Sequence, residues 1–448
     1  MKALGIDIGS TSIKGAVLDL STLQVMPPVV RPFPAPLGRL PVGWIEVDPL
    51  AVCEAVDEVL SSLIEQAPEA DWLGFSGQMG GVILLDHQGQ PLSNYISWQD
   101  QRVLAADSSG RSFFDKVHEI WSQSGLFAEL GRELQPGSTT VLLAWLESRD
   151  QLPRHAIPAN IADFVIARRL GHRIPMHATH AIGMLDLAHR DWHQQAFARI
   201  GLENLTLPEL GVSEASVGQW RYAGRTFNVF GSYGDQQLAL RGAGLQSDEL
   251  SLNVSTGSQV SRRSARFEPG PYQSRVYFFG EVLNTVTHLP AGRSLNTLVD
   301  LLTELARAEG IALRHPWDTI NSLVDAVAET DLNVDLAFFR GPLGSRGRIE
   351  NISTENLSVG TLIYAAFRTM SRNYREVAER FSPRDWKGVV LSGGLTQKAP
   401  TLRRLLQESF PVPLRESAGE ETLAGLLDIA RNDFERTPTP HVLGQERG

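Results

Sequence analysis

Two acids and two turns of small residues are the parts of this chain whose type and setting could do chemistry. Asp7 stands between Ile6 and Ile8 in LGIDIGSTSIKGAVLDL, residues 4–20, just ahead of Gly9-Ser10-Thr11-Ser12. Small residues in a turn can aim several backbone N–H groups at one anion. A carboxylate beside such a nest repels phosphate unless a divalent cation lies between them. Asp7 can equally be a plain turn residue. Asp235 follows a glycine in GSYGDQQLALRGAG, a setting that also suits a helix cap. Thr256-Gly257-Ser258 is a second small turn, and Gly393-Gly394 follows an apolar run, where a glycine pair is usually only a turn. Neither a Gly-Lys-Ser/Thr phosphate loop nor a three-glycine dinucleotide fingerprint is present.

The elements that must position these residues can be read from periodicity. Leu4, Ile6 and Ile8 alternate with Gly5 and Asp7, and an apolar run resumes from Ile13 to Leu20, which predicts a hairpin. A proline-rich crossing spans Val25 to Leu40, and Asp48 with Pro49 opens a helix. WLGFSGQM reads as a buried strand and SNYISWQDQR as a short strand with a polar end, carrying Trp98, Asp100 and Arg102. From about 104 to 230 the chain is more helical, with ANIADFVIARRLG and DWHQQAFARIGL expected as amphipathic helices. Near 231 the pattern restarts: strand, glycine turn and helix through Asp235, then a hairpin through LSLNVSTGSQVS. This predicts two domains of related construction meeting near 244. ENLSVGTLIYAAFRTMSRNYREVAERF is a long helix whose buried candidates include Leu357, Ile363, Phe367 and Met370. GVVLSGG, TLRRLLQESF and ETLAGLLDIARNDF follow as strand, helix and helix.

Composition bounds the function. A chain of 448 residues exceeds one ordinary core, so two domains of about 200 residues are expected. Hydrophobic residues make up 42% and charged residues 21%, an ordinary globular balance. A formal charge of -10 argues against general nucleic-acid or anionic-membrane binding. The single cysteine, Cys53, excludes an internal disulfide and a thiolate metal cluster and fits a reducing compartment. No run reaches about 18 apolar residues, and the first residues enter a strand pattern directly; the expected address is cytoplasmic. His177, His180 and His288 have no metal-ligand spacing and are expected at the surface or in packing.

In order and wording these segments resemble the FGGY carbohydrate kinases over nearly the whole chain. The opening hairpin is similar to that family's first phosphate element, GSYGDQQ to its catalytic-acid segment, NVSTGSQVS to its second phosphate element and VVLSGGLTQKAP to its adenosine element. Within the family, SGQMGGV, SWQDQR, GDQQ, LNVST, ISTENLSVG and FPVPL resemble the sedoheptulokinases; xylulokinases share the first two more loosely. The implied fold is α/β, with two actin-like (ribonuclease H-like) domains and a nucleotide cleft between them. An N-terminal domain over 1–244 would hold the sugar and the catalytic base, a C-terminal domain over 245–436 would hold ATP, and 437–448 would be a tail.

The resemblance also implies roles. Asp235 is the base that takes the proton of the attacking hydroxyl, and Asp7 holds Mg²⁺ through water. Gly9, Thr11, Ser12 and Lys14 face the terminal phosphates from one side and Thr256 with Gly257 from the other, while Gly393 and Gly394 receive the adenosine. Gln78, Met79, Gly80, Trp98, Asp100, Arg102 and Gln236 line the sugar, although Arg102 can instead pair with a neighbouring carboxylate. Departures fall on the sugar side: Gly80 stands where the family often has His and Gln101 where it often has Gly, LPAGRSLNTL lacks the expected paired glycine and asparagine, and no acid precedes Arg340. The implied reaction is ATP-dependent phosphorylation of the terminal primary hydroxyl of a ketose, sedoheptulose first and a pentulose (xylulose or ribulose) as the alternative. A third alternative is an actin-like nucleotide sensor without activity. The expected partners are ATP and a small ketose, without nucleic acid or membrane; a homodimer is left open.

Overall fold

The computed structural model describes residues 1–417 and 419–436; the expected tail over 437–448 lies outside the described residues. The chain divides into two compact units. Among the described residues, the first comprises 1–244, 276–278 and 420–436, and the second comprises 245–275, 279–417 and 419.

The first unit is built on a seven-stranded sheet. Its centre is three parallel strands: β1 (Lys2–Ile8), β3 (Trp72–Gly77) and β5 (Arg225–Gly234). β2 (Ser12–Asp19) runs antiparallel to β1, completing the expected hairpin, and β4 (Ser216–Tyr222) runs antiparallel to β5. β3 is buried at every position, so its sequence is a continuous apolar and small-residue run rather than an alternation. Helix α1 (Pro49–Gln66) packs one face, with Val59 and Leu63 against Gly15 of β2. Asp48 caps α1 by accepting from the Leu50 N–H, and Cys53 is buried within it. Helix α2 (Ile161–Leu170) is buried through its first seven residues rather than amphipathic, because the sheet and its neighbours enclose it.

The other face of the sheet explains a boundary that the sequence misplaced. Helix α5 (Glu421–Arg436) was expected in the second domain, but it belongs to the first unit and sets Leu426 against Gly5 and Gly74 of the sheet. It also crosses helix α3 (Asp235–Gly242) with the backbones nearly touching. A Cβ on Gly242 would lie 1.9 Å from the Glu421 carbonyl, and one on Gly425 would lie 2.3 Å from the Leu238 carbonyl. Only glycine permits that approach.

The second unit repeats the plan. β6 (Glu249–Asn253) and β7 (Ser258–Ser264) form an antiparallel hairpin, and β6 runs parallel to β10 (Gly388–Ser392), which runs parallel to β11 (Leu414–Glu416). β8 (Gln273–Val276) and β9 (Val282–Leu289) extend the β7 edge. Helix α4 (Val359–Ala378) buries Ile363, Phe367 and Met370 in the core of this unit. Leu357 is 57% exposed, contrary to expectation, because a capping box between Ser358 and Thr361 starts the helix beyond it.

Candidate active site

Register places the first group of residues. Ile8 of β1 faces Gly77 of β3, and Gly77 faces Gly234 of β5, so the three parallel strands end on one rung. Asp7, Ser76 and Tyr233 share the rung before it; Gln78 and Asp235 come immediately after it. The carboxyl ends of parallel strands are where open α/β sheets bind ligands. Gly234 is the N-cap of α3, so Asp235 is the first helical residue rather than the cap. Its Oδ1 accepts from the Gln236 N–H at 2.8 Å.

Burial and chemistry single out two side chains here. Asp7 Oδ1 is buried without a hydrogen-bond partner. Burial first, and then the nearby Asp235 charge, push the Asp7 carboxyl up to about 7, against the opposing pull of Ser76 and Lys14. A carboxylate so placed meets the need of a bound cation. Gln78 is 2% exposed, and neither its amide nitrogen nor its oxygen has a partner. A buried amide left unpaired costs about 1–3 kcal/mol, so its retention points to a ligand that completes it. Met79 lies against Gly234, and Gly80 lies beside Trp98 and the Gly137 carbonyl. Tyr95 is close enough to Asp235 for that charge, after burial, to raise its phenol further.

Other expected residues have different surroundings. The Gly9 N–H closes the hairpin onto the Ser12 carbonyl at 3.1 Å, which leaves Thr11 exposed at the tip. Lys14 faces Asp7 across the strands, yet its ammonium is held by both oxygens of Glu420 at 3.0 and 2.9 Å. Trp98, Asp100 and Arg102 are not on a strand: the strand Tyr95–Ile96 ends first, and Arg102 opens a 3-10 turn. Asp100 accepts from the Ile45 N–H at 2.6 Å, the Arg102 N–H at 2.8 Å and two guanidinium nitrogens of Arg102 at 2.9 Å each. Arg102 also donates to Glu46 at 2.7 Å and lies 3.9 Å from the centre of the Trp44 ring. These two side chains are occupied with each other, while Trp98 is 38% exposed.

A buried polar cluster behind Asp235 was missed. Thr179 Oγ1 accepts from the Gly234 N–H at 2.9 Å, and the Thr179 carbonyl accepts from Gln237 Nε2 at 3.1 Å. Ser232 Oγ donates to Asp163 Oδ1 at 2.7 Å and lies 2.9 Å from His180 Nε2. Burial raises Asp163 to about 7 and lowers His180 to about 3, so His180 is neutral. Both His177 and His180 are buried here, not at the surface. Elsewhere Glu129, Asp186 and His193 bring ligand atoms within 4.8 Å of one another. His193 Nδ1 accepts from the Ala196 N–H, so its Nε2–H donates to Glu129 at 2.9 Å, a hydrogen bond that needs no metal.

In the second unit the two remaining turns are neighbours. Asn253 of β6 faces Ser392 of β10, so Thr256-Gly257 and Gly393-Gly394 both lie just past the ends of adjacent parallel strands. The carbonyls of Ser255 and Thr256 accept from the Gly292 and Arg293 N–H groups at 3.0 and 2.9 Å, which pins the first turn to a helix start. Gly393 has φ +93, and a Cβ there would lie 2.4 Å from the Val254 carbonyl, so the second turn packs directly on the first.

The FGGY family of carbohydrate kinases, N-terminal domain, matches residues 2–242. The chain belongs to this family. As an FGGY member it is an ATP-dependent carbohydrate kinase, and its α/β fold is that of two actin-like domains. It is 23% identical over 457 residues to the sedoheptulokinase of Mus musculus, covering 92% of this chain and 93% of that protein. It is 25% identical over 286 residues to the xylulose kinase of Staphylococcus xylosus, covering 56% and 55%. The crystal structure of Plasmodium falciparum glycerol kinase with ADP is similar in fold, with a TM-score of 0.81 at 16% identity, covering 98% and 90%. Among the described residues of this FGGY kinase, no helix is long and apolar enough to cross a membrane.

Proposed function

We propose that this kinase transfers the terminal phosphoryl group of ATP to the terminal primary hydroxyl of a ketose, and that the ketose is sedoheptulose, giving the 7-phosphate. The observation that carries the reading is the convergence of Asp7, Gln78 and Asp235 on the ends of three adjacent parallel strands, with Asp7 Oδ1 and both amide atoms of Gln78 buried and unpaired. Asp235 accepts the hydroxyl proton as the new P–O bond forms. Gln78 and Gln236 orient the sugar hydroxyls, the Trp98 indole covers the C–H side of the sugar, and Met79 and Gly80 shape its boundary. Asp100 and Arg102 serve by fixing the loop of Trp98, since their own charges are paired.

Asp7 is the residue proposed to hold Mg²⁺, through water; when bound, the ion neutralises charge on the phosphates. The backbone of Thr11 and Ser12, in the turn that Gly9 closes by its bond to the Ser12 carbonyl, and the turn of Thr256 and Gly257 bind the phosphates of ATP, with Gly393 and Gly394 against the nucleoside. Lys14 acts on this site at a remove, through its pairing with Glu420. In this reading the first unit carries the sugar and the base, and the second carries most of the nucleotide contacts.

Sedoheptulose is preferred because the likeness to a sedoheptulokinase runs over nearly the full length of both chains, whereas those to two xylulose kinases cover 56% and 65% of this chain. A ketose panel with coupled ADP detection tests the proposal. The highest kcat/KM on sedoheptulose supports it; preference for a five-carbon ketose selects the pentulose alternative, and turnover of none rejects both.

A further inference from the structure

We propose that Thr179 is a positioning residue for the Asp235 carboxylate, an inference that rests on Asp235 acting as the base. Thr179 is fully buried and lies 55 residues before Gly234 in the chain. It grips the corner between β5 and α3 on both sides of Asp235: its hydroxyl oxygen accepts from the Gly234 N–H at 2.9 Å, and its carbonyl accepts from Gln237 Nε2 at 3.1 Å. The residue before the acid and the residue two beyond it are therefore tied to one amino acid.

The direction of the hydroxyl is set by its other neighbour. His177 Nδ1 lies 2.8 Å from Thr179 Oγ1 and 3.3 Å from the Thr179 N–H, which donates to it. Because the Thr179 N–H donates to Nδ1, that nitrogen is the acceptor of an imidazole that burial and the Arg241 charge hold neutral; the Thr179 O–H donates to it, and a lone pair of Oγ1 remains for Gly234.

Strand β5 needs this anchor because its ladder is interrupted just before the acid. Phe230 faces Gly74 and Tyr233 faces Ser76, so Gly231 and Ser232 together oppose Phe75. Such a bulge re-aims the side chains beyond it. Ser232 leaves the ladder for Asp163 and His180, and Tyr233 and Gly234 return to register with Ser76 and Gly77. The Gly234–Thr179 bond then fixes the last residue before Asp235. A catalytic group displaced by about 1 Å can lose about 100-fold in rate.

The test compares Thr179→Val, which keeps shape and removes the acceptor, with Thr179→Ser, which keeps both hydroxyl roles. Thr179→Val is expected to lower kcat by about 10- to 100-fold with KM for ATP and ketose within about twofold, while Thr179→Ser stays within about threefold of the parent. Backbone amide exchange at Gly234 should speed up in Thr179→Val alone. In an Asp235→Ala background, Thr179→Val should cause no further loss. An equal loss in both backgrounds, a KM effect without a kcat effect, a Ser variant as impaired as the Val variant, or unchanged Gly234 exchange would each overturn the inference. The Asp235→Ala single variant reports separately on the base: near-normal turnover there rejects the base, whatever Gly234 exchange does.

Discussion

Lys14 faces Asp7 across the first hairpin but gives its ammonium to Glu420, which lies 406 residues away in the sequence. Glu420 raises the Asp7 carboxyl and Lys14 lowers it, so the pair modulates the acid without touching it. Glu420→Gln removes the opposing charge and frees the ammonium. The expected outcome is a fall in the Asp7 pKa from about 7, measured by carbon NMR of the labelled carboxyl.

Asp7 also sets a pH dependence of stability. Its folded pKa lies above the unfolded carboxylate value, so between about 4 and about 7 the native state binds more protons than the unfolded chain. Stability from this group therefore falls as pH rises through that window. Asp163 acts in the same direction, which makes the difference between the parent and Asp7→Asn the quantity to measure by urea denaturation. The slope should be shallower in Asp7→Asn. If Asp7 holds Mg²⁺, the magnesium concentration for half-maximal rate should drop by about tenfold from pH 6 to pH 8 in the parent, as the proton ceases to compete.

Gln78 offers a trade between stability and binding. Gln78→Met replaces two buried unpaired polar atoms with an apolar chain of similar shape, and should stabilise the fold by about 1–3 kcal/mol. The same change should raise the ketose KM. Thermal unfolding and steady-state kinetics on one preparation check both; a stabilised variant with an unaltered ketose KM would remove Gln78 from the sugar site.

Replacing Asp235, the proposed base, should separate chemistry from nucleotide affinity. Asp235→Ala is expected to cut turnover by about 10²- to 10⁴-fold while ADP affinity, measured by calorimetry, changes less than about threefold.

Arg102 tests a structural role. Arg102→Met would leave Asp100 and Glu46 without their cation, Asp100 being fully buried, and should destabilise the protein by about 3–5 kcal/mol in denaturant titration.

The features legible in the sequence were local ones. Asp7 and its turn, Asp235 with the glycine before it, and the two-residue spacing of Asp100 and Arg102 are patterns within a few residues, where periodicity and turn chemistry are strong. Ser232 stood in plain view inside GSYGDQQ, but nothing nearby said that a bulge would turn it away from its strand. Thr179, His180 and Glu420 act on groups reached only through the fold, and no spacing rule connects them to their partners. Leu357 was misread because the capping box formed by Ser358 and Thr361 outranks the apolar period that extends through it.

The close crossing of Gly242 and Gly425 has a consequence for how the protein is made. Residues emerge from the ribosome from the N-terminus onward, and domains usually fold as they emerge. Here the helix bearing Asp235 must wait for the last helix of the described chain, while the entire second unit is synthesised in between. A chain that has not yet reached α5 thus holds Asp235 on an unfinished scaffold, and its helix gains that support only after the second unit has been made.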